Sequence, residues 1–446
     1  MSSSGTSSLK FRVTRKNIEL IGPAKPTPYE CKLLSDIDDQ QSLRFHVPVI
    51  QFYGSSPSME GKDPVKVIKE SLAKALVFYY PLAGRLRELP GRKVMVECTG
   101  EGVLFIEADA DVKLEDFGED DLHPPSIPCL DELLYDVPGS SGILNSPLLL
   151  IQVTRLACGG FILGIRFSHT QFDAFGLQQF MTAISELARG ATSPSILPVW
   201  QRELFSARHP PQITHVHHEY DHIPDTNNII QQNKLIKRSF FFGPEEISIL
   251  RNLVMMESQN KYSSFNLVAA CVWRCRTIAL QYGPSEEVRF LCLVNARGRI
   301  HPPLVPTGYY GNAFVYPAGI TTAGELGENH LAFAADIISK IKSHVTKEYI
   351  QSVADLMVLK GRPPFSYART YLVSDNTKAG FENVDYGWGK AVYGGVALGD
   401  VVPGVACYYI PFERKNNSGK GILVPVTLHP PAMERFEKEL RIILNK

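Results

Sequence analysis

The sequence lacks a net charge, since its 446 residues include 46 Lys and Arg and 46 Asp and Glu. Nucleic-acid binding needs basic surface to neutralise phosphates, so this balance gives no reason to expect a nucleic-acid partner. The sequence also lacks an uncharged apolar run near about 18 residues, which excludes a transmembrane helix and a membrane partner from our expectations. Residues 1–15 have no apolar segment of the kind that secretory leaders need, so we predict a cytoplasmic protein.

Cysteine is sparse and scattered, with eight residues in the chain. Cys271 and Cys275 form the closest pair, but a single C-x₃-C within a helical pattern is not a zinc framework. Four histidines cluster at His215, His217, His218 and His222 without a partner at metal-ligand spacing. We therefore expect reduced thiols, a solvated histidine-containing linker and no metal site.

Repeats and low-complexity tracts are absent, and the chain is too long for one hydrophobic core. Periodic strand and helix patterns fill both halves, but prolines and polar residues interrupt them between 193 and 233. We predict an N-terminal domain at 1–192, a crossover linker at 193–233 and a C-terminal domain at 234–446. The mixture of strands and helices favours layered α/β or α+β domains.

Two well-patterned elements meet near the middle of the chain. Alternating apolar residues predict a strand over Phe161 to Ser168, and a helical stripe runs from Phe175 to Leu187. The sequence His169-Thr170-Gln171-Phe172-Asp173 therefore lies between this strand and this helix, where a side chain can be aimed rigidly into a cleft. Elsewhere, a second helical stripe, from about residue 331 to 359, predicts one long helix.

His169 is the candidate general base, because imidazole accepts and returns a proton near neutral pH. The spacing alone leaves two interpretations open. In the second, Asp173 is only the N-cap of the following helix, and His169 is a buried, hydrogen-bonded residue without a chemical role.

Further strings change the balance between these interpretations. The H-x-x-x-D sequence at His169 to Asp173 resembles a signature of the BAHD acyltransferases of plant specialised metabolism. Asp385-Tyr386-Gly387-Trp388-Gly389 resembles the second signature of that family, with Tyr in place of Phe. The supporting strings, in family order, are Tyr80-Pro81-Leu82-Ala83-Gly84-Arg85, Leu293-Val294-Asn295-Ala296-Arg297 and Gly308-Tyr309-Tyr310-Gly311-Asn312.

The resemblance implies a two-domain, chloramphenicol-acetyltransferase-like α/β fold with a channel between the domains. It implies that acyl-coenzyme A and an alcohol enter from opposite faces and meet at His169, with no permanently bound cofactor. It also implies that Asp173 is structural and pairs, in bidentate geometry, with Arg297. No G-x-S-x-G nucleophile elbow occurs, which agrees with direct transfer without an acyl-enzyme.

Other roles follow from the same resemblance. The five residues from Asp385 to Gly389 are expected to be a structural element near the coenzyme channel. Ser374 is a candidate oxyanion donor, although a satisfied surface serine is an equal alternative. Gln171 and Phe172 are expected to line the acceptor pocket, because a loop cannot bury both neighbours of its reactive residue on one side.

The N-terminal strings are similar to the branch that contains benzyl alcohol benzoyltransferases and fruit alcohol acyltransferases. These include Glu19 to Ala24 and Cys98 to Val103. They favour benzoyl-CoA as donor, with acetyl-CoA next, and benzyl alcohol or an alkaloid alcohol as acceptor. We expect a monomer. An amine acceptor, a carrier-protein condensation enzyme and a non-catalytic relative stay open as alternatives.

Overall fold

A computed structural model describes residues 9–136, 142–223, 235–256, 258–259, 261–300, 303–413 and 419–445. The strands are β1 (Val13–Ile21), β2 (Cys31–Leu33), β3 (His46–Tyr53), β4 (Arg85–Glu88), β5 (Val94–Glu97), β6 (Val103–Ala110), β7 (Leu149–Arg155), β8 (Phe161–Ser168), β9 (Ile236–Phe242), β10 (Glu287–Cys292), β11 (Val294–Asn295), β12 (Phe314–Val315), β13 (Ala318–Thr322), β14 (Thr370–Asp375), β15 (Tyr393–Val396), β16 (Ala406–Glu413) and β17 (Lys420–Leu428). The helices are α1 (Pro64–Phe78), α2 (Leu130–Leu133), α3 (Ala174–Ala188), α4 (Pro244–Met255), α5 (Ser264–Leu280), α6 (Ala323–Glu328), α7 (Leu331–Ser343), α8 (Lys347–Leu359) and α9 (Pro430–Leu444).

Two six-stranded mixed sheets organise these elements. The first has the order β1-β6-β7-β8-β3-β15, and the second has the order β13-β10-β14-β16-β17-β9. Helices α1 and α3 cover the first sheet, while α5 lies between α7 and α9 on the second. The predicted two-sheet α/β architecture is confirmed. No helix in the described ranges is long and apolar enough to cross a bilayer.

Local sequence signals fix several element boundaries. Asp63 caps α1 by accepting a hydrogen bond from the Val65 N–H, and β8 has the predicted bounds. The single long helix predicted over about 331–359 is wrong, because α7 ends at Ser343 and α8 begins at Lys347. The side chain of Thr346 accepts a hydrogen bond from the Tyr349 N–H and starts a new helix there.

Strand pairing crosses the predicted boundary between the two domains. Strand β15 pairs with β3 at the edge of the first sheet, so a segment of the C-terminal half of the chain completes the N-terminal domain. The hydrogen bond from the Tyr53 hydroxyl to the Val384 carbonyl extends this exchange. Sequence order therefore does not divide the chain cleanly at 234, because sheet pairing crosses that boundary.

The structure describes residues 193–223 of the predicted crossover linker, and this part packs against the rest of the chain. Residues 224–233 of the predicted linker lie outside the described ranges. Arg208 in the crossover pairs with Asp355 of α8 at 2.7 Å. His217 is buried rather than solvated, with its ring nitrogens bonded to Glu219 and Ser352. Within the described residues, no three His, Cys, Asp or Glu side chains are grouped as metal ligands.

Candidate active site

His169 lies directly after β8 and before α3, at the predicted strand-to-helix junction. Its Nδ1 is 2.9 Å from the carbonyl oxygen of Phe172, and since a carbonyl can only accept, Nδ1 carries the proton. Neutral imidazole with Nδ1 protonated leaves Nε2 as the basic nitrogen. The loop therefore selects the tautomer that a general base at Nε2 needs.

The surroundings of His169 also favour its neutral form. Burial lowers the pKa of His169 below its ordinary value, and the charge of Asp173 and the hydrogen bond to Phe172 oppose that effect. A neutral imidazole can accept a proton, whereas an imidazolium cannot. The ring is thus set up as a base near neutral pH.

A cavity of about 330 Å³ opens at His169. This volume is at the lower end of the range for small-molecule sites, about 300–1,000 Å³. The chain from Gln41 to Phe45 forms one wall, and this segment contributes four residues that sequence reasoning missed. The remaining lining includes Leu293, Tyr316, Phe365, Tyr367, Leu372, Ser374, Val401, Val402, Ala406, Cys407 and Tyr408.

Aromatic rings dominate the environment of the base. Phe45 and Phe314 contact the imidazole ring with centroid distances of 5.6 and 5.9 Å. Tyr316 and Phe365 meet edge to face at 4.8 Å in the cavity wall. Rigid rings of this kind suit planar, apolar substrates. They come from distant segments, and no local pattern in the sequence marks them.

Ser374 lies at the end of β14 and lines the same cavity as His169, as a candidate oxyanion donor must. Its Oγ is 3.2 Å from Nδ2 of Asn376, which donates to it. Because the Oγ accepts that bond, the hydroxyl hydrogen is available to donate into the cavity.

The predicted pairing of Asp173 with Arg297 is confirmed, with Arg297 Nη1 at 2.5 Å from Asp173 Oδ2. The predicted bidentate geometry is wrong, because Nη2 of Arg297 donates instead to the carbonyls of Tyr309 and Gly311. Asp173 is also the N-cap of α3, since its Oδ1 accepts from the Gly176 N–H at 2.9 Å. Both structural roles considered for this aspartate coexist.

Gln171 and Phe172 do not line the His169 cavity, so their prediction as acceptor-pocket residues is wrong. Phe172 is fully buried and stacks on Phe180 of α3 at a centroid distance of 5.7 Å. Gln171 is fully buried as well, and its Nε2 donates to Thr170. Phe172 turns inward because its ring packs among Phe167, Phe180 and Tyr310. The loop contributes backbone carbonyl groups to the support of His169.

Residues Asp385 to Gly389 form a packed loop on the first sheet. Asp385 Oδ1 accepts hydrogen bonds from the N–H groups of Gly387 and Gly389 at 2.7 and 2.8 Å. Tyr386 is fully buried against Tyr53, and Trp388 packs on Phe161. Gly387 has a φ of 113°, which disfavours any residue with a Cβ. None of the five lines the His169 cavity.

Basic groups collect near the far end of β14. Lys342 Nζ is 3.0 Å from Oδ1 of Asn266, and Arg299 donates to the Lys342 carbonyl at 3.0 Å. Burial lowers the pKa of Lys342; Asp375 opposes this, while Arg299 and Lys378 add to it. This group of like charges suits an anionic ligand such as a phosphate.

A larger cavity, of about 430 Å³, lies beside α3 and the loop at 305–309. Arg297 and Glu186 line it, and both carboxylate oxygens of Glu186 are bonded to Ser195. His169 does not line this cavity. Of these two cavities, the smaller one is therefore the candidate active site, because His169, the candidate base, lines it.

Comparison with known proteins identifies the chain. The model of a family described as the Transferase family matches residues 11–442. The chain is 61% identical over 443 residues to a benzyl alcohol O-benzoyltransferase of Nicotiana tabacum, covering 99% of this chain and 95% of that protein. The chain belongs to the BAHD acyltransferase family. It is an acyl-CoA-dependent acyltransferase.

Other relatives of this BAHD acyltransferase extend the comparison. It is 55% identical over 442 residues to a 13-hydroxylupanine O-tigloyltransferase of Lupinus albus, covering 98% of this chain and 95% of that protein. Among solved structures, vinorine synthase superposes with a TM-score of 0.73 at 23% identity, covering 97% of this chain and 98% of that chain. F. sporotrichioides TRI101, complexed with coenzyme A and T-2, gives 0.65 at 18% identity, with 92% and 97% covered. These structures confirm the fold.

Proposed function

We propose that this acyltransferase transfers an aromatic acyl group, benzoyl from benzoyl-CoA, to an alcohol such as benzyl alcohol or an alkaloid alcohol. His169 is the general base in a ternary complex of the chain with both substrates. The observation that carries this proposal is the His169 ring, with Nδ1 bonded to Phe172 and the ring lining an aromatic cavity.

The proposed reaction needs no covalent enzyme intermediate. Nε2 of His169 accepts the hydroxyl proton while the alcohol oxygen attacks the thioester carbonyl carbon. Ser374 donates a hydrogen bond to the oxyanion that forms. The carbon–sulfur bond then breaks, and His169 returns the proton to the departing thiolate, giving ester and free coenzyme A.

The size and lining of the cavity support aromatic substrates. About 330 Å³ accommodates small rings, and the walls next to His169 are aromatic. The tobacco relative and one of Petunia hybrida, at 60% identity, are both benzyl alcohol O-benzoyltransferases. An alcohol acyl transferase of Malus domestica, at 52% identity, supports an alcohol as the acceptor, and acetyl-CoA stays our alternative donor.

We place the coenzyme phosphates at Lys342, Arg299 and Lys378, because this basic group adjoins Asp375, the residue after Ser374. The pantetheine arm would extend from these phosphates into the cavity, so that the acyl thioester reaches Ser374 and His169. Coenzyme A is a co-substrate in this proposal and leaves with each turnover. A monomeric state and a cytoplasmic location stay predictions from the sequence.

The test is a donor and acceptor matrix. Purified protein is mixed with benzoyl-CoA or acetyl-CoA and with benzyl alcohol or benzylamine, and free thiol release and product mass are measured. We expect benzoyl-CoA with benzyl alcohol to give the highest kcat/KM. Faster turnover with acetyl-CoA than with benzoyl-CoA would contradict benzoyl transfer and favour alcohol acetylation. A preference for benzylamine over benzyl alcohol would contradict O-acylation.

A further inference from the structure

The His169 loop is held by a second group of buried polar residues, besides Asp173 and Arg297. This group consists of Asp38, Arg202 and Asn312, which come from three distant parts of the chain. All three are nearly inaccessible, with relative exposures of 0%, 1% and 0%. None of them lines the His169 cavity, so none can touch a substrate there.

The carboxylate of Asp38 is the centre of this group. Its Oδ1 accepts from Arg202 Nη1 at 2.8 Å and from both the backbone N–H and the Nδ2 of Asn312, at 2.9 and 2.8 Å. Its Oδ2 accepts from the backbone and hydroxyl of Ser35. One carboxylate thus joins the N-terminal segment, the crossover and the loop before β12.

Arg202 is a cation buried among aromatic rings. Its guanidinium lies 4.6 Å from the Trp200 ring centroid and 5.0 Å from that of Tyr310. Gly311 leaves the room it needs, since a Cβ at that position would come within 2.0 Å of Arg202 Nη1. A buried ion pair usually adds little stability compared with well-packed apolar residues of the same volume. We therefore interpret the Asp38–Arg202 pair as fixing geometry rather than as stabilising the fold.

Two hydrogen bonds connect this group to the catalytic loop. Arg202 Nη2 donates to the Gln171 carbonyl at 2.9 Å, and Asn312 Nδ2 donates to the His169 carbonyl at 2.8 Å. The peptide after Gln171 carries Phe172, whose own carbonyl accepts from Nδ1 of His169. Arg202 and Asn312 therefore hold the peptides at residues 171 and 169, and this backbone sets the position of the Phe172 carbonyl that orients the imidazole.

We infer that Asp38, Arg202 and Asn312 are positioning residues that fix the His169 ring for proton transfer. This inference rests on the proposed function, in which His169 is the base. Arg202 and Asn312 act through the backbone of residues 169–172, and Asp38 orients both of them. Loss of this support misplaces the base without altering the walls that bind substrate.

The test compares two arginine-to-lysine variants in the purified full-length chain. Lysine keeps the charge of Arg202 but cannot bond Asp38 and the Gln171 carbonyl with one planar fork. A misplaced catalytic group costs up to about 100-fold, so we expect Arg202→Lys to lower kcat about 10–100-fold while both KM values stay within about twofold.

Arg362→Lys is the matched control. Arg362 is also buried and pairs with Asp36 and Asp39 of the same acidic segment, but its remaining bond goes to the Gly91 carbonyl. We expect its kcat to stay within about twofold of wild type. Equal losses of kcat in the two variants, wild-type kcat in Arg202→Lys, or a change in KM alone would overturn the inference.

Two further variants keep the outcome decisive. If Arg202→Lys does not fold, Asn312→Ala is judged by the same criteria, because it preserves the Asp38–Arg202 pair and removes the donor to His169. His169→Ala separates the two proposals. Near wild-type turnover in His169→Ala contradicts the proposed function, whereas an inactive His169→Ala with a fully active Arg202→Lys contradicts only the positioning role.

Discussion

The loops at 169–173 and 385–389 are built on the same local principle but differ in what they contact. In each loop an aspartate carboxylate accepts backbone N–H groups: Asp173 from Gly176 and Ala313, and Asp385 from Gly387 and Gly389. Only the first loop presents a side chain, that of His169, to the 330 Å³ cavity. The second directs its aromatic side chains into the core of the first sheet.

This difference shows that a recognisable motif can mark either chemistry or folding. In both loops the acidic residue organises the backbone, and the neighbouring elements decide the role of the rest. The 169–173 loop lies between two sheets, where a cavity remains. The 385–389 loop precedes β15 and helps to attach that strand to β3. We therefore expect variants of the first loop to lose turnover and variants of the second to lose stability.

His169→Ala should have the largest effect. Removing a general base lowers turnover by about 10²–10⁴-fold, and because the ring is not part of the tightly packed core, the fold should persist. The measurement is kcat for benzoyl transfer together with the thermal midpoint. Turnover close to wild type would remove His169 from the mechanism.

Trp388→Ala should act in the opposite way. Trp388 is buried against Phe161, and truncating a buried tryptophan costs about 3–5 kcal/mol of unfolding free energy. Denaturant unfolding should show this loss, while kcat measured well below the melting temperature stays near wild type. Trp388→Phe is the control that keeps most of the packing. A large loss of kcat in a folded Trp388→Ala would break the contrast between the loops.

Asp173→Asn should affect both stability and turnover. The amide keeps an acceptor for the Gly176 N–H but places its NH₂ against Arg297 and the Ala313 N–H. Breaking this mostly buried pair should cost about 3 kcal/mol. Asp63→Asn is the control, because its pair with Arg155 is more exposed, at 41% and 26% of the two side chains, so its loss should cost less than the Asp173 change. Equal losses in the two variants would contradict a special role for Asp173.

Ser374→Ala should give the smallest change in this series. A hydrogen bond to a charged oxygen contributes about 1.5–3 kcal/mol, so kcat should fall about 10–100-fold while KM for benzoyl-CoA changes little. Thr at this position keeps a hydroxyl and should restore part of the activity. An unchanged kcat in Ser374→Ala would contradict the role of Ser374 as oxyanion donor and leave it a structural serine.

Local patterns predicted the parts of the site that depend on neighbours in sequence. The strand before His169 and the helix after it both follow from the periodicity of apolar residues. The inward direction of Phe172 was missed, because the sequence does not show that α3 would bury that ring.

Long-range pairing escaped prediction for a similar reason. The placement of β15 beside β3 joins residues more than 300 positions apart, and no local signal encodes that choice. The aromatic walls of the cavity also come from separate strands and loops. Family resemblance supplied the pairing of Asp173 with Arg297, which the spacing of the residues alone does not give.

The central claim is that the neutral imidazole of His169 accepts the proton of the alcohol, and the pH dependence of kcat/KM tests it most directly. Burial lowers the pKa of His169, so the base stays neutral below its ordinary pKa of about 6.5. We predict that kcat/KM is constant from about pH 8 to 6.5 and falls only at lower pH, as one group becomes protonated. The residual activity of His169→Ala should lack this fall at low pH, the acidic limb of the pH profile. A limb centred above about pH 6.5, or the same limb in His169→Ala, would contradict the account.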